Sequence, residues 1–226
     1  MILSELVIEN PALLLFSDHF EIDYLDMGKT IKMICRKYQV SEVLFLAFCN
    51  MYNGFIPESS ITLSKDDLDN IIRFLKRSHV YYREEKYPEI QNYIHKLSVE
   101  SKSKEIKLIE RFFIEYFNEV NEHIEYEDSV AFPYFEQLIN SKKALSDNGV
   151  KKYSVKEYKE HHDDIETKLT DLKNLILNHI SLSEQRSLRR KLLFSLFELE
   201  YDLNIHAQIE EMILIPLVVE IEKNTE

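Results

Sequence analysis

With 226 residues, 45% of them apolar and 30% charged, the chain can build a sizeable core and keep a soluble surface. A net charge of −12 argues against nucleic acid, because phosphate binding needs a basic surface that displaces counterions. The basic runs Lys142-Lys143, Lys151-Lys152 and Arg189-Arg190-Lys191 are short and flanked by acids, as solvated loops and helix faces are.

No apolar run approaches the roughly 20 residues that span a bilayer, so no membrane partner is expected. Met1 to Glu9 carries Glu5 and Glu9 without a basic residue, unlike a secretory signal, and the expected location is the cytoplasm. Cys35 and Cys49 are too few and too far apart for a disulfide framework or a zinc cluster, and read as small buried hydrophobes.

Three glycines and five prolines leave little punctuation, which favours long helices joined by few loops. Residues 1–54 read as a small helical N-terminal domain, with apolar runs at Leu13–Phe16 and Val43–Phe48. Residues 55–64, around Phe55-Ile56-Pro57-Glu58-Ser59-Ser60, read as a linker, and residues 65–226 as four long helices. The first starts near Ser64, which can cap it together with Asp67, and runs through His79. A bend or break is expected at Pro88, where a backbone donor is missing. The second follows Ser98–Lys104 and carries His123 and Glu127 toward Pro133. Asn140 to Lys152, with Asp147-Asn148-Gly149, reads as a loop. The third opens on a capping box, Ser154 and Glu157, and includes His162; the fourth opens on Ser181 and Glu184 and carries His206 and Glu210 toward Pro216. Leu172, Leu175, Ile176 and Ile180, then Leu192, Leu193, Leu196, Leu199 and Leu203, recur at helical steps. The expected fold is all-α, an up-down-up-down four-helix bundle behind a small helical domain.

The chemistry lies in an internal duplication. His123-Ile-Glu-Tyr-Glu127 and His206-Ala-Gln-Ile-Glu210 are both His-x-x-x-Glu, and each histidine is followed by a proline at the same distance (123 to 133; 206 to 216). Each is also preceded by a further histidine at one interval (79 to 123; 162 to 206), so the two sets differ by a single offset. One His-x-x-x-Glu is weak evidence; two copies with matched outlying histidines are strong.

Residues four apart share a helix face, so each motif stacks an imidazole on a carboxylate. Phe113 and Val120 before His123, and Leu196 and Leu203 before His206, turn that face inward. Buried carboxylates and imidazoles without partners would cost several kcal/mol each after desolvation, whereas bound cations neutralise them. The donors suit iron, manganese or zinc, and the absence of thiolates speaks against copper(I) or an iron–sulfur cluster. Two histidines per ion, two glutamates able to bridge and an oxo or hydroxo bridge would leave one open position on each of two ions, where a diatomic or peroxide could bind.

The site expected is therefore His79, His123, Glu127, His162, His206 and Glu210. His162 is preferred to its neighbour His161 on the interval alone. Tyr82 and Tyr158 are candidate site-lining residues, with core packing as the plainer reading. His19, His95 and His179 have no counterpart in the repeat and read as surface or satisfied polar residues. Glu211 reads as a solvated or supporting acid.

On these residues, 65–220 resembles the hemerythrin-like (HHE cation-binding) family: His79, His123-x-x-x-Glu127 with Phe132-Pro133, Glu160-His161-His162, and His206-x-x-x-Glu210 with Ile215-Pro216. Oxygen-carrying members have a further histidine one turn before the third-helix ligand, where this chain has Tyr158. That departure resembles the four-His, two-Glu variant of the repair-of-iron-centres proteins, linked to nitrosative and oxidative stress. Ile22-Asp23-Tyr24-Leu25-Asp26-Met27-Gly28 is similar to the start of their N-terminal domain, with Tyr24-Leu25 in place of a cysteine pair.

The resemblance implies a non-heme di-iron protein. It would bind or react with nitric oxide, oxygen or peroxide in a stress response, and support repair of iron–sulfur centres. Its partners would be iron-centre client proteins or an electron donor. The rival readings are an oxygen or nitric oxide sensor, an iron store or donor, and a bundle stapled by a redox-silent metal such as zinc. Whether the protein is an enzyme stays open, and no side chain is assigned as a general base.

Overall fold

The computed structural model describes residues 1–56, 62–101, 104–140, 154–161, 167–178 and 185–224. All regular elements there are helical, and the only β pairing among the described residues is an isolated bridge between Ile2 and Thr30. The chain begins with four short helices, α1 (Leu3–Glu9), α2 (Leu13–His19), α3 (Ile31–Tyr38) and α4 (Glu42–Met51). Thr30 and Ser41 cap α3 and α4 by accepting backbone N–H bonds from Met33 and Leu44. Tyr24 and Leu25 sit on a 3-10 turn and face solvent, 62% and 89% exposed.

The helices that follow are α5 (Lys65–Tyr81), α6 (Tyr87–Ser101), α7 (Lys104–Tyr126), α8 (Phe132–Asn140), α9 (Val155–His161), α10 (Thr167–Asn178), α11 (Arg186–Ile209) and α12 (Ile215–Lys223). The returning half of two expected capping boxes forms: the Asp67 carboxylate accepts from the Ser64 N–H at 2.8 Å, and Glu157 from the Ser154 N–H at 3.2 Å, while the Ser64 hydroxyl donates to Asp67 at 2.9 Å. His162, Ser181 with Glu184, His179, part of the expected linker and most of the expected 140–152 loop lie outside the described residues.

The prolines behave differently from expectation. At Pro88 the helix does not stop; it passes through a π-helical turn, Tyr82–Lys86, and continues as α6. Equivalent turns, Glu127–Ala131 and Glu210–Leu214, precede Pro133 and Pro216. In each case the π turn is followed by a new α segment in which the proline is the second residue. The N–H of Tyr87 reaches back to the Tyr82 carbonyl, and that of Ile215 to Glu210, one residue farther than in an α-helix. Widening the turn moves the carbonyl that would clash with the proline ring and puts the missing donor in a first turn, where none is needed.

The residues fall into two compact units. The first comprises Met1–Ser78, Val130–Lys159 and Ile205–Glu226. Its centre is aromatic: Phe74, on α5, lies 4.8 Å from Phe20 and 4.9 Å from Phe48 between ring centres, and Phe16 lies 4.9 Å from Phe45. His19 is buried there with its ring edge-on to Phe74. Lys76 pairs with Glu136 at 2.5 Å, and the Tyr134 hydroxyl donates to Glu222 at 2.8 Å.

The second unit, His79–Ser129 with Glu160–Asn204, is a four-helix arrangement. Tyr82 to Leu97, Ile106 to Ile124, Leu169 to Ile176 and Leu192 to Leu203 contribute one apolar core. Consecutive segments run antiparallel. Tyr87 stacks on Phe117 while His95 meets Glu110, and Thr170 bonds Glu200 while Arg189 bonds the Leu177 carbonyl. The chain returns to its first segment the same way, with Tyr82 on Asp202, Lys86 on Glu198 and Glu89 on Ser195. Phe113, Val120, Leu196 and Leu203, which the sequence turned inward, are all in this core. No helix among the described residues is long and apolar enough to cross a membrane.

Candidate metal centre

His79 lies near the end of α5, His123 near the end of α7 and His206 near the end of α11; Glu127 and Glu210 open the π turns that follow the last two. An i, i+4 pair on a helix leads directly into that wider turn. Each carboxylate consequently comes back over its own histidine: His123 Nε2 stands 3.3 Å from Glu127 Oε1, and His206 Nε2 stands 3.2 Å from Glu210 Oε1.

In the second unit Glu127 is fully buried and serves two imidazoles at once. His123 Nε2 faces one oxygen, and His79 Nε2 faces the other at 3.3 Å. His79 is itself buried, and its Nδ1 donates to Asp128 Oδ1 at 2.9 Å; Arg83 in turn pairs with the other Asp128 oxygen at 3.1 Å. In the first unit the Tyr158 hydroxyl donates to Glu210 Oε1 at 2.9 Å, and Ser78 Oγ lies 2.8 Å from His206 Nδ1.

These contacts set the tautomers. A carboxylate only accepts, so His79 carries its proton on Nδ1 toward Asp128. The single Ser78 hydroxyl proton goes to the Leu75 carbonyl at 2.7 Å, so Ser78 Oγ accepts from His206 Nδ1. Both histidines thereby direct Nε2 at a glutamate oxygen. A lone pair facing an anion at that distance, away from water, requires a cation between them, either a proton or a metal ion.

Protons answer part of that demand in the metal-free chain. Burial pulls the His79 imidazole down, but its hydrogen bonds to Asp128 and Glu127 outweigh this and push it up to about 9. Burial pushes the Glu127 carboxyl up, yet His123 and His79 together hold it well below the usual carboxylate range. A metal suits the geometry as well. Donors about 2.1 Å from an ion and at right angles around it lie about 3 Å apart, close to the separations seen here. His79, His123, Glu127, His206 and Glu210 all belong to groups of side chains able to hold a metal ion. An imidazole and carboxylate set without sulfur fits iron, manganese or zinc.

Of the candidate lining residues, Tyr158 touches a glutamate of the set, whereas the buried Tyr82 donates to Asp202 at 2.8 Å. Glu211 is exposed. Cys35 and Cys49 are buried free thiols, each pushed up to about 11 chiefly by burial. The residues that sequence reasoning missed are Ser78, Arg83 and Asp128. Ser78 and Asp128 adjoin ligand-type residues in sequence, and that adjacency was the only available signal.

Residues 70–218 match the family described as Hemerythrin HHE cation binding domain, a span that takes in every histidine and glutamate of the expected site. No curated protein matches the chain.

Proposed function

This chain belongs to the hemerythrin HHE cation-binding domain family, and on that premise we propose that it is a non-heme di-iron protein that takes up nitric oxide, oxygen or peroxide in a cytoplasmic stress response. The observation that carries the reading is the buried Glu127, with an imidazole Nε2 at 3.3 Å from each of its two oxygens. A carboxylate that offers its oxygens separately is the arrangement that lets one glutamate serve two ions. His79, His123, Glu127, His162, His206 and Glu210 would hold the pair. Iron, when bound, supplies electrons and positive charge toward a small ligand.

The chain's own groups supply the remainder. Asp128 and Ser78 hold the histidines with Nε2 turned to a glutamate oxygen, the Tyr158 hydroxyl shares the charge on Glu210, and the apolar core of the second unit keeps bulk water from one side. Tyr158 stands where oxygen carriers have an additional histidine, so one nitrogen donor fewer leaves more room for an exogenous ligand. The solvent-exposed Tyr24-Leu25 carries no thiols, so any support of iron–sulfur repair would run through the metal site rather than a cysteine pair. The free thiols at Cys35 and Cys49 agree with a reducing compartment.

The test is elemental analysis of protein purified without oxygen, followed by its visible spectrum after brief air exposure and titration with nitric oxide. About two irons per chain with near-ultraviolet oxo-bridge absorption is the expected result. Sustained nitric oxide consumption with an electron donor makes the protein an enzyme, while uptake that stops at saturation makes it a sensor or carrier. Less than one metal per chain after reconstitution with ferrous iron refutes the proposal.

A further inference from the structure

Helix α11 is apolar on two faces. Leu192, Leu196, Leu199 and Leu203 enter the core of the second unit. On its outer side stand Arg190, Phe194, Phe197 and Tyr201, all exposed, at steps of four, three and four. Phe194 is 67%, Phe197 46% and Tyr201 37% exposed. A helix with one face in a core ordinarily turns polar side chains outward, and single apolar exceptions need no explanation. Three aromatics in line at the spacing of a coiled-coil seam do need one. The repeat offset (123 to 206; 127 to 210) matches the four positions to Lys107, Arg111, Ile114 and Asn118 on α7. Those are exposed too, but only Ile114 is apolar, and Arg111 pairs with Glu115 at 3.8 Å. The aromatic seam thus belongs to α11 and is not a requirement of the repeat.

We propose that this seam docks a second copy of the chain, α11 against α11 and antiparallel. The charges choose both the partner and its direction. Arg186, Arg190 and Lys191 are exposed toward the N-terminal end of α11. Glu198 lies farther along, its side chain 45% exposed while it pairs with Lys86 at 2.8 Å. With two antiparallel copies centred between Ser195 and Leu196, Phe194 meets Phe197 of the second copy, Arg190 meets Tyr201, and Lys191 comes beside Glu198. Each contact then occurs twice, as two-fold symmetry requires. A guanidinium on an aromatic ring and an ammonium beside a carboxylate are both favourable. A parallel pair would instead set Arg190 on Arg190 and Arg186 beside Lys191, like against like. Phe197 is an anchor held in advance: the ammonium of the buried Lys173 lies 4.6 Å from its ring centre, so less freedom is lost on docking. His206, on the same helix, is buried and off the seam, so docking needs no metal.

The experiment is sedimentation velocity of the full chain, as purified and after chelation, over roughly 1–300 µM, where so small an interface should dissociate. Wild type should rise from one chain to two across that range in both forms. Phe194→Glu, at a residue two-thirds exposed, should keep the wild-type circular dichroism. It should raise the dissociation constant at least about 10-fold, since the change enters the dimer twice. Lys191→Glu should raise it by less, and Ile114→Glu on α7 should leave it unchanged. Direction is read from single cysteines at the exposed ends of the seam. An oxidised mixture of Ser187→Cys and Asn204→Cys should give a disulfide-linked pair, and neither variant alone should. A wild type that stays a single chain at the highest concentration would overturn the proposal, as would a dimer that Phe194→Glu leaves equally tight or one that chelation dissolves. Links within Ser187→Cys alone, and not in the mixture, would overturn the antiparallel arrangement.

Discussion

Replacing Glu127 with glutamine is the sharpest probe of the centre. The side chain is fully buried, and each of its oxygens faces one imidazole at 3.3 Å. Glutamine keeps the shape and can offer its amide N–H to one Nε2, so the metal-free fold should survive with little change. What it removes is the negative charge and one donor oxygen. Losing a group behind a ligand costs about 10- to 100-fold in affinity, so loss of a direct ligand facing both His79 and His123 should cost at least about 100-fold. Metal held at about 100 times the wild-type Kd stabilises the wild type by about 2.7 kcal/mol; after a 100-fold loss the same concentration contributes about 0.4 kcal/mol. At about 2–4 °C per kcal/mol for a chain of this size, ferrous iron should raise the wild-type Tm by roughly 5–11 °C and the variant's by about 1–2 °C. The assay is anaerobic thermal unfolding followed by circular dichroism, with and without ferrous iron. An iron-dependent rise in Glu127→Gln equal to that of wild type would refute the assignment of Glu127 as a shared ligand.

Three further outcomes follow from the geometry. Phe74→Ala should destabilise the chain by about 3–5 kcal/mol in urea unfolding, because Phe74 touches Phe20 and Phe48 in the aromatic centre of the first unit; a loss below 1 kcal/mol would mean those rings repack without it. Lys29 and Lys37, with the Tyr38 hydroxyl, hold the Asp26 carboxyl well below its usual range. Its stabilising contribution is present above the unfolded value of about 3.9 and is lost as pH falls through the lowered folded value. Asp26→Asn should thus be less stable than wild type at pH 6, with the gap closing in strong acid; a gap that does not change with pH would contradict this. Finally, with burial pushing both thiols to about 11, Cys35 and Cys49 should react with a disulfide reagent at pH 8 far more slowly in the native chain than in urea. Equal rates in the two conditions would show the thiols to be accessible.

The sequence by itself carried the class of fold and the donor set. Scarce glycine and proline with apolar residues at helical steps indicated an all-α chain, and helices are what the structure shows. Two His-x-x-x-Glu motifs at one offset were enough to single out His123, Glu127, His206 and Glu210, because a shared helix face is a local property that spacing alone determines. The same holds for the caps at Ser64 and Ser154, whose partners lie three residues away.

What tertiary structure decided was everything that depends on a neighbour distant in sequence or on a change of helical pitch. Spacing foresaw an interruption at Pro88, but only the folded backbone shows it absorbed by a π turn, repeated where Glu127 and Glu210 sit. Packing also chose between the two candidate tyrosines, sending the Tyr158 hydroxyl to Glu210 and the Tyr82 hydroxyl to Asp202. Asp128 and Ser78 were invisible as supports for a similar reason. A residue adjacent to a ligand points about 100° away around its own helix, so what it touches depends on which helix stands beside it. The histidine that Asp128 steadies lies 49 residues earlier in the chain, and the one that Ser78 meets lies 128 residues later.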